Sequence, residues 1–124
     1  MLHCEDITQR IIACAMQVHR EVGPGLLESA YQECLASELR HAGLKFEREV
    51  SLPLIYREIR LDAGYRMDFV VEDSVILELK AVEKMLPVHE AQLMTYLKLS
   101  HKRVGLMINF CVPLLKDGII RRVL

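Results

Sequence analysis

Three residues in the middle of the chain, Asp68, Glu78 and Lys80, have the types and the spacing of a metal-dependent hydrolytic site. Carboxylates supply the oxygen ligands that Mg²⁺ prefers, and Mg²⁺ commonly uses only one or two acids together with water and substrate phosphate oxygens. Lys80 lies two residues beyond Glu78 and therefore on the same strand face, where it could orient an attacking water or stabilise charge on a phosphate oxygen. The three residues form a minimal set for phosphodiester hydrolysis with Mg²⁺ or Mn²⁺.

A hairpin is predicted to bring the two acids together. Apolar residues alternate with other residues along 65–71 and along 75–81, and only the segment 72–74 separates these strands. A three-residue loop gathers the apolar side chains of both strands on one face, whereas a two-residue loop would set each apolar residue against a polar one. The favoured register places Asp68 directly across from Glu78, with Cβ atoms roughly 4.5 to 5.5 Å apart.

The same charged residues also fit a purely structural arrangement. On an exposed strand face, Asp68 could pair diagonally with Lys80, and Glu78 with Arg66, so that the repulsion between the acids is relieved without a metal. An acid followed at this distance by E-x-K is common by chance. The spacing alone therefore leaves a metal site and a salt-bridge ladder open.

Two helices are predicted before the hairpin. Apolar residues recur at helical spacing over 7–21 and again over 27–42, with Gly23-Pro24-Gly25 between them and Gly43 as a left-handed stop. Strand-like segments begin at Lys45, where the proline at position 53 indicates an edge position or a break.

A helix and two strands are predicted after the hairpin. Pro87 opens a helix that runs to about Leu99, and the nearly continuous apolar run 104–110 indicates a strand buried on both faces. The helix between two strands indicates a right-handed crossover. The segment 119–124 is expected to close the sheet at one edge.

Four further polar residues, on two of the predicted helices, have ordinary structural interpretations. Glu28 lies in the first turn of the second helix, where the helix dipole favours a carboxylate. His89, Gln92 and Tyr96 follow one another at i, i+3 and i+7 on the third helix. That spacing is typical of a polar edge beside a core stripe, here formed by Val88, Leu93 and Leu97.

Five motifs carry a resemblance to a known family. They are G-x-x-E-x-x-Y at 25–31, R-M-D-F-V at 66–70, E-L-K-A at 78–81, V-H-E-A-Q at 88–92 and G-L-M-I-N-F at 105–110. With them the chain resembles, over nearly its whole length, the GxxExxY protein family, a small branch of the PD-(D/E)XK nuclease superfamily. The resemblance implies a restriction-endonuclease-like α/β fold with a mixed central sheet, formed by a three-stranded antiparallel meander, a crossover helix and further strands and flanked by helices.

The resemblance also implies roles for individual residues. Asp68 and Glu78 would be the metal-binding acids and Lys80 the catalytic lysine. Glu28 would be the acid that the first core helix presents to the metal, and Gln92 the glutamine of the following helix.

Two neighbours of these residues leave questions open. Met67 stands before Asp68 where the superfamily name has a proline, a variation that is not expected to harm the acid site. Tyr31 could support Glu28 by packing or hydrogen bonding, or serve as a core residue.

Composition bounds the partners of the chain. Its 124 residues are expected to form a single nuclease-like domain, 1–124, and no apolar stretch approaches the ~20 residues of a membrane span, which favours a cytoplasmic protein. A net charge of −1 predicts weak binding of nucleic acid by the isolated chain, with a homodimer or a protein partner supplying further contacts. The alternative function is a non-catalytic module that keeps the nuclease fold and binds nucleic acid or protein.

Overall fold

A mixed five-stranded sheet with helices on both faces forms the framework of the protein. The computed structural model describes residues 3–62 and 64–124. The elements are α1 (Cys4–Val22), α2 (Glu28–His41), β1 (Phe46–Ser51), β2 (Leu54–Tyr56), β3 (Ile59–Leu61), β4 (Arg66–Val71), β5 (Val75–Lys80), α3 (Pro87–Ser100), β6 (Val104–Asn109), a 3₁₀ helix (Leu115–Gly118) and β7 (Ile119–Val123). The sheet order is β1-β4-β5-β6-β7, with β5 and β6 parallel and the other neighbours antiparallel. The α/β fold class is therefore confirmed.

The hairpin between β4 and β5 has the register that its apolar pattern predicts. Phe69 pairs with Leu77 and Val71 with Val75, across a three-residue loop. Two loop residues, Glu72 and Asp73, adopt positive φ angles of 51° each, which turns the chain without a glycine. Both partners of each pair are buried, so the apolar pattern fixed the register.

The two N-terminal helices differ from the prediction mainly at their ends. Helix α1 begins at Cys4, three residues before the expected start, and no side chain caps it. Helix α2 ends at His41, and Gly43 follows with the expected left-handed φ of 75°. The two predicted helices are confirmed, and the left-handed Gly43 turns the chain away from α2 towards β1.

The segment around Pro53 holds a second, smaller sheet that the sequence analysis missed. Strand β1 ends at Ser51, and β2 and β3 then pair only with each other, with Leu54 opposite Leu61. Both strands are three residues long, too short for an alternating pattern to be visible in the sequence.

The prediction that β4 and β5 each have one apolar face was wrong. One face packs on α1 and α2 through Phe69 and Leu77. The other face is covered by α3, whose Leu93 and Leu97 pack with Val70 and Ile76. The acids therefore do not stand on an exposed sheet face, because a helix lies over it.

Strand β6 allows α3 to approach the sheet closely. A Cβ on Gly105 would lie 2.8 Å from Cδ1 of Leu93, so any larger residue here would force this leucine side chain to shift. Every residue of β6 is buried, as its continuous apolar run predicts, and β7 forms one edge of the sheet. Among the described residues, no helix is both long and apolar enough to cross a bilayer.

Candidate active site

Asp68 and Glu78 lie side by side where β4 and β5 separate. The backbone N–H of Asp68 donates to Oε1 of Glu78 at 3.2 Å, and the backbone N–H of Leu79 donates to Oδ2 of Asp68 at 2.8 Å. The regular ladder between the strands extends only as far as Phe69 and Leu77. Beyond that pair, carboxylate oxygens accept the backbone hydrogen bonds, which fixes both acids relative to the sheet.

The strands are distorted at Asp68. Its position opposite Glu49 is missing from the otherwise regular β1–β4 ladder, and Glu49 has a positive φ of 52°. On either side of Asp68, Phe69 packs in the core beneath α1 and α2, whereas Met67 packs in the core beneath α3. In a regular strand, residues two apart such as Met67 and Phe69 lie on the same face. The alternation of side chains between the two faces of β4 is therefore broken at Asp68, whose carboxylate lies at the boundary between the two cores.

Burial disfavours ionisation of both acids, and at Glu78 the charge of Asp68 adds to this effect. Glu78 is only 4% exposed. Its burial, followed by the charge of Asp68, raises its pKa from the usual 4.5 to about 9. Burial also raises the pKa of Asp68, although the hydrogen bonds from Leu79 and from protonated Glu78 oppose that shift. The fold thus favours the protonated form of Glu78 more strongly than that of an ordinary exposed glutamate.

Lys80 interacts electrostatically with both acids. It lies half-buried at the end of β5, and its charge lowers the pKa of Asp68 and of Glu78. Arg66 pairs instead with Glu49, at 3.1 Å, and no salt bridge joins Lys80 to Asp68 within the described part of the chain. The alternative salt-bridge ladder is therefore not formed.

Glu28 stands at the first residue of α2 and belongs to the electrostatic surroundings of the pair. Burial raises its pKa first and the charge of Asp68 second, while Lys80 and His89 lower it. Its position is set by Tyr31, whose hydroxyl accepts from the Leu26 N–H and donates to the Gly23 carbonyl.

Tyr31 fills both of the roles considered for it. Its ring is fully buried and stacks on Phe110, with centroids 4.3 Å apart. Its hydroxyl at the same time ties down the loop that leads into Glu28. Tyr31 is therefore a core residue that also anchors the start of α2.

Helix α3 contributes a hydrogen-bonded pair next to the acids. Nε2 of Gln92 donates to the Tyr96 hydroxyl at 3.1 Å. Burial raises the pKa of Tyr96, and the charges of Glu78 and Asp68 raise it further. Tyr96 is 4% exposed and belongs to the core beneath α3, whereas Val88 is 64% exposed, so the predicted core stripe of this helix was wrong at Val88.

One comparison with known proteins identifies the family of the chain. A family model described as the PD-(D/E)XK nuclease superfamily matches residues 5–123. The chain belongs to the PD-(D/E)XK nuclease superfamily. Apart from Cys4, the first residue of α1, the match includes every helix and strand described above, and it supports a nuclease-type function. Neither the curated proteins nor the solved structures contain a significant match.

Nucleases of the PD-(D/E)XK superfamily generally depend on divalent metals, and the acid pair fits such a cation in part. Two adjacent carboxylates offer hard oxygen donors, and Mg²⁺ needs only one or two acids beside water and substrate phosphate. The described residues contain no group of three histidine, cysteine or acidic side chains close enough to share one ion. Glu28 thus lies near Asp68 but not in a ready-made three-ligand cluster.

Asn109 lies beside the candidate site, at a position that the sequence analysis did not single out. It is 1% exposed at the end of β6, where it is the register partner of Lys80. Its Oδ1 accepts from the N–H groups of Val82 and Cys111, and its Nδ2 donates to the Val82 carbonyl. An asparagine at the end of a buried apolar strand was the available signal. Asn109 holds the chain just beyond Lys80.

Proposed function

We propose that the chain is a metal-dependent nuclease of the GxxExxY type, which hydrolyses phosphodiester bonds of DNA or RNA. The observation that carries the proposal is the acid pair, in which Asp68 and Glu78 accept backbone hydrogen bonds at the opening between β4 and β5. Two like charges held together at this depth are unfavourable unless a proton or a cation compensates them.

Asp68 and Glu78 are proposed to hold Mg²⁺ or Mn²⁺, and Lys80 to act on the substrate. A bound divalent ion supplies Lewis acidity to a phosphodiester and lowers the pKa of a water molecule. Lys80 lies close enough to alter the pKa values of both acids, so its ammonium can orient the attacking water or stabilise negative charge on a phosphate oxygen.

Glu28 and Gln92 are proposed to complete the site from the two flanking helices. Glu28 would accept a hydrogen bond from a water molecule bound to the metal, or it would contribute a further oxygen ligand, since its carboxylate interacts electrostatically with Asp68. Gln92 would position Tyr96, to which it donates a hydrogen bond, beside the acids.

Nucleic-acid binding by the isolated chain is proposed to be weak, since the net charge is −1. A second copy or a protein partner would supply further contacts. The edge strand β7 is a candidate surface for that partner, because Val123 and Leu124 are 52% and 48% exposed.

One observation favours a second candidate, a non-catalytic module that keeps the nuclease fold and binds nucleic acid or protein. The described residues form no cluster of three metal ligands. In that case Glu78 would keep its proton, and divalent ions would change neither the stability nor the activity of the protein.

A cleavage assay distinguishes the two candidates. Purified protein is incubated with single-stranded, double-stranded and branched DNA and with RNA, in Mg²⁺, in Mn²⁺ and in chelator. The nuclease proposal expects cleavage of at least one substrate with metal, and none with chelator or with Glu78→Gln. Equal cleavage by Glu78→Gln and wild type would mean that the activity comes from a contaminant or another site.

A further inference from the structure

A groove beside the acid pair offers an aromatic and partly polar lining. It encloses about 490 Å³ between α3 and the segment around β2, and Leu54, Tyr65, Val88, Gln92, Thr95 and Tyr96 contribute to its walls. That volume lies within the range of ~300 to 1,000 Å³ found for small-molecule sites. The groove can therefore hold a planar group of the size of a nucleotide.

The groove and the acid pair meet at Tyr96. This tyrosine packs in the same core cluster as Met67, the residue before Asp68, and its hydroxyl lies within the electrostatic reach of both acids. Tyr65 also lines the groove, directly precedes β4 and lies three residues before Asp68 in the chain. If a substrate phosphate binds at the acid pair, the nucleotide next to that phosphate can therefore reach the groove.

The walls of the groove carry the groups that recognise a nucleobase. Tyr65 is 41% exposed, and its ring meets that of Tyr96 in a T-shaped arrangement with centroids 6.4 Å apart, so part of this side chain is open to a ligand in the groove. Nδ1 of His89 accepts from the Leu86 N–H, which leaves Nε2 as the protonated nitrogen of the neutral ring. The amide oxygen of Gln92 receives no donor from the described residues.

We propose that this groove binds an unpaired nucleobase next to the scissile phosphate, so that single-stranded or locally opened nucleic acid is preferred over intact duplex. The inference rests on the proposed nuclease function, because it takes nucleic acid as the substrate. A base within a duplex is stacked and paired, and it reaches a lateral groove only after it leaves the helix. Stacking on tyrosine tolerates every base, so the preference concerns strandedness more than sequence.

The experiment measures binding of an oligonucleotide that carries the fluorescent base 2-aminopurine, in Mn²⁺ and in a Lys80→Ala background that keeps the substrate intact. Stacking in the groove should quench the fluorescence of the single-stranded probe. Tyr65→Ala should raise the dissociation constant for this probe roughly 5- to 150-fold, the usual effect of removing one stacking ring, and should abolish the quenching. Tyr65→Phe keeps the ring and should bind like the parent protein.

Two controls keep the result interpretable. Tyr56→Ala removes another exposed tyrosine, on β2, and should leave binding unchanged. The backbone carbonyl of Tyr65 accepts from the Leu52 N–H and is kept in every variant, so a melt should show an intact fold. Unchanged binding by Tyr65→Ala, or an equal loss for single-stranded and duplex probes, would overturn the proposal.

Two further outcomes separate this inference from its alternatives. A change of sedimentation behaviour in Tyr65→Ala alone would mean that a second copy of the chain covers the groove, and the base-binding proposal would be wrong. Quenching that depends on Tyr65, in a wild-type protein that cleaves nothing, would support the groove while refuting the nuclease function.

Discussion

Glu78 accepts a hydrogen bond from the backbone of Asp68, and Asp68 accepts one from the residue that follows Glu78. Each acid therefore holds the strand of the other at the point where the β4–β5 ladder stops. The two carboxylates are fixed by the fold before any ion binds. A substitution at one acid is consequently expected to affect the pKa and the orientation of the other.

The first prediction concerns the stability of Asp68→Asn. The asparagine oxygen can still accept from the Leu79 N–H, while the charge of Asp68, which raises the pKa of Glu78, is removed. Without metal, the variant should be as stable as wild type or slightly more stable. Mn²⁺ should raise the melting temperature of wild type, because it binds only the folded state, but not that of the variant.

Thermal melts of both proteins, with chelator and with millimolar Mn²⁺, test this prediction. Glu49→Gln, which removes an exposed neighbouring acid, serves as the control and should retain the response to Mn²⁺. A destabilised Asp68→Asn together with a wild type that is indifferent to Mn²⁺ would contradict the metal site.

The second prediction concerns the pH dependence of stability in chelator. The unfolded chain loses the Glu78 proton near the usual pKa of 4.5, whereas the folded protein holds it up to about 9. Between these values the folded state binds more protons, so the free energy of unfolding should fall as pH rises, by at most ~1.4 kcal/mol per pH unit for this group.

Urea denaturation of wild type and Glu78→Gln between pH 5 and pH 9 isolates the contribution of this one group. The glutamine is neutral throughout, so the variant should show a shallower decline than wild type. Parallel curves for the two proteins would show that Glu78 does not retain its proton in the folded state.

The third prediction concerns Asn109, which holds the chain beyond Lys80. Asn109→Ala should lower the free energy of unfolding by about 1–3 kcal/mol, because it leaves the partly buried N–H and carbonyl of Val82 without this partner. Asn109→Asp keeps the acceptor for the Val82 N–H but turns a second carboxylate oxygen towards the Val82 carbonyl, so cleavage should be impaired in both variants. Denaturation curves give the free energies of unfolding, and cleavage assays give the rates. An Asn109→Ala variant with the stability and the cleavage rate of wild type would contradict the proposed role of Asn109.

The sequence predicted the parts of this protein that periodicity controls. The three-residue loop fixed the hairpin register because a slip would have moved each apolar residue to the wrong face. Asp68 could be placed near Glu78 for the same reason. The helices before the hairpin followed from their apolar spacing and from Gly43.

The parts that depend on tertiary packing could not be predicted in the same way. The burial of Glu78 requires α3 to lie over the sheet, which Gly105 permits through a contact far away in the chain. The reversal of β4 at Asp68 breaks the period-two pattern itself. Tyr96 was assigned to a polar edge because it carries a hydroxyl group, but the residue is buried in the core.

The fourth prediction concerns salt. The chain has sixteen basic and seventeen acidic residues, so binding of nucleic acid by the isolated chain should be weak and should decline further between 50 and 200 mM salt, as counterion release requires. Fluorescence anisotropy with Lys80→Ala, alongside sedimentation of the same sample, gives both affinity and oligomeric state. Tight, salt-independent binding by a demonstrated monomer would contradict it.

The most direct test of the nuclease proposal is the single-turnover cleavage rate of Lys80→Ala in Mn²⁺, measured with its affinity for Mn²⁺ by calorimetry. Lys98→Ala, an exposed lysine at the end of α3, is the matched control and should cleave like wild type. Lys80→Ala should lose cleavage at least 100-fold while it binds Mn²⁺ and folds as wild type does, because Lys80 serves the reaction and not the ligand set. Cleavage by Lys80→Ala at the wild-type rate, in a preparation free of contaminating nuclease, would contradict the account.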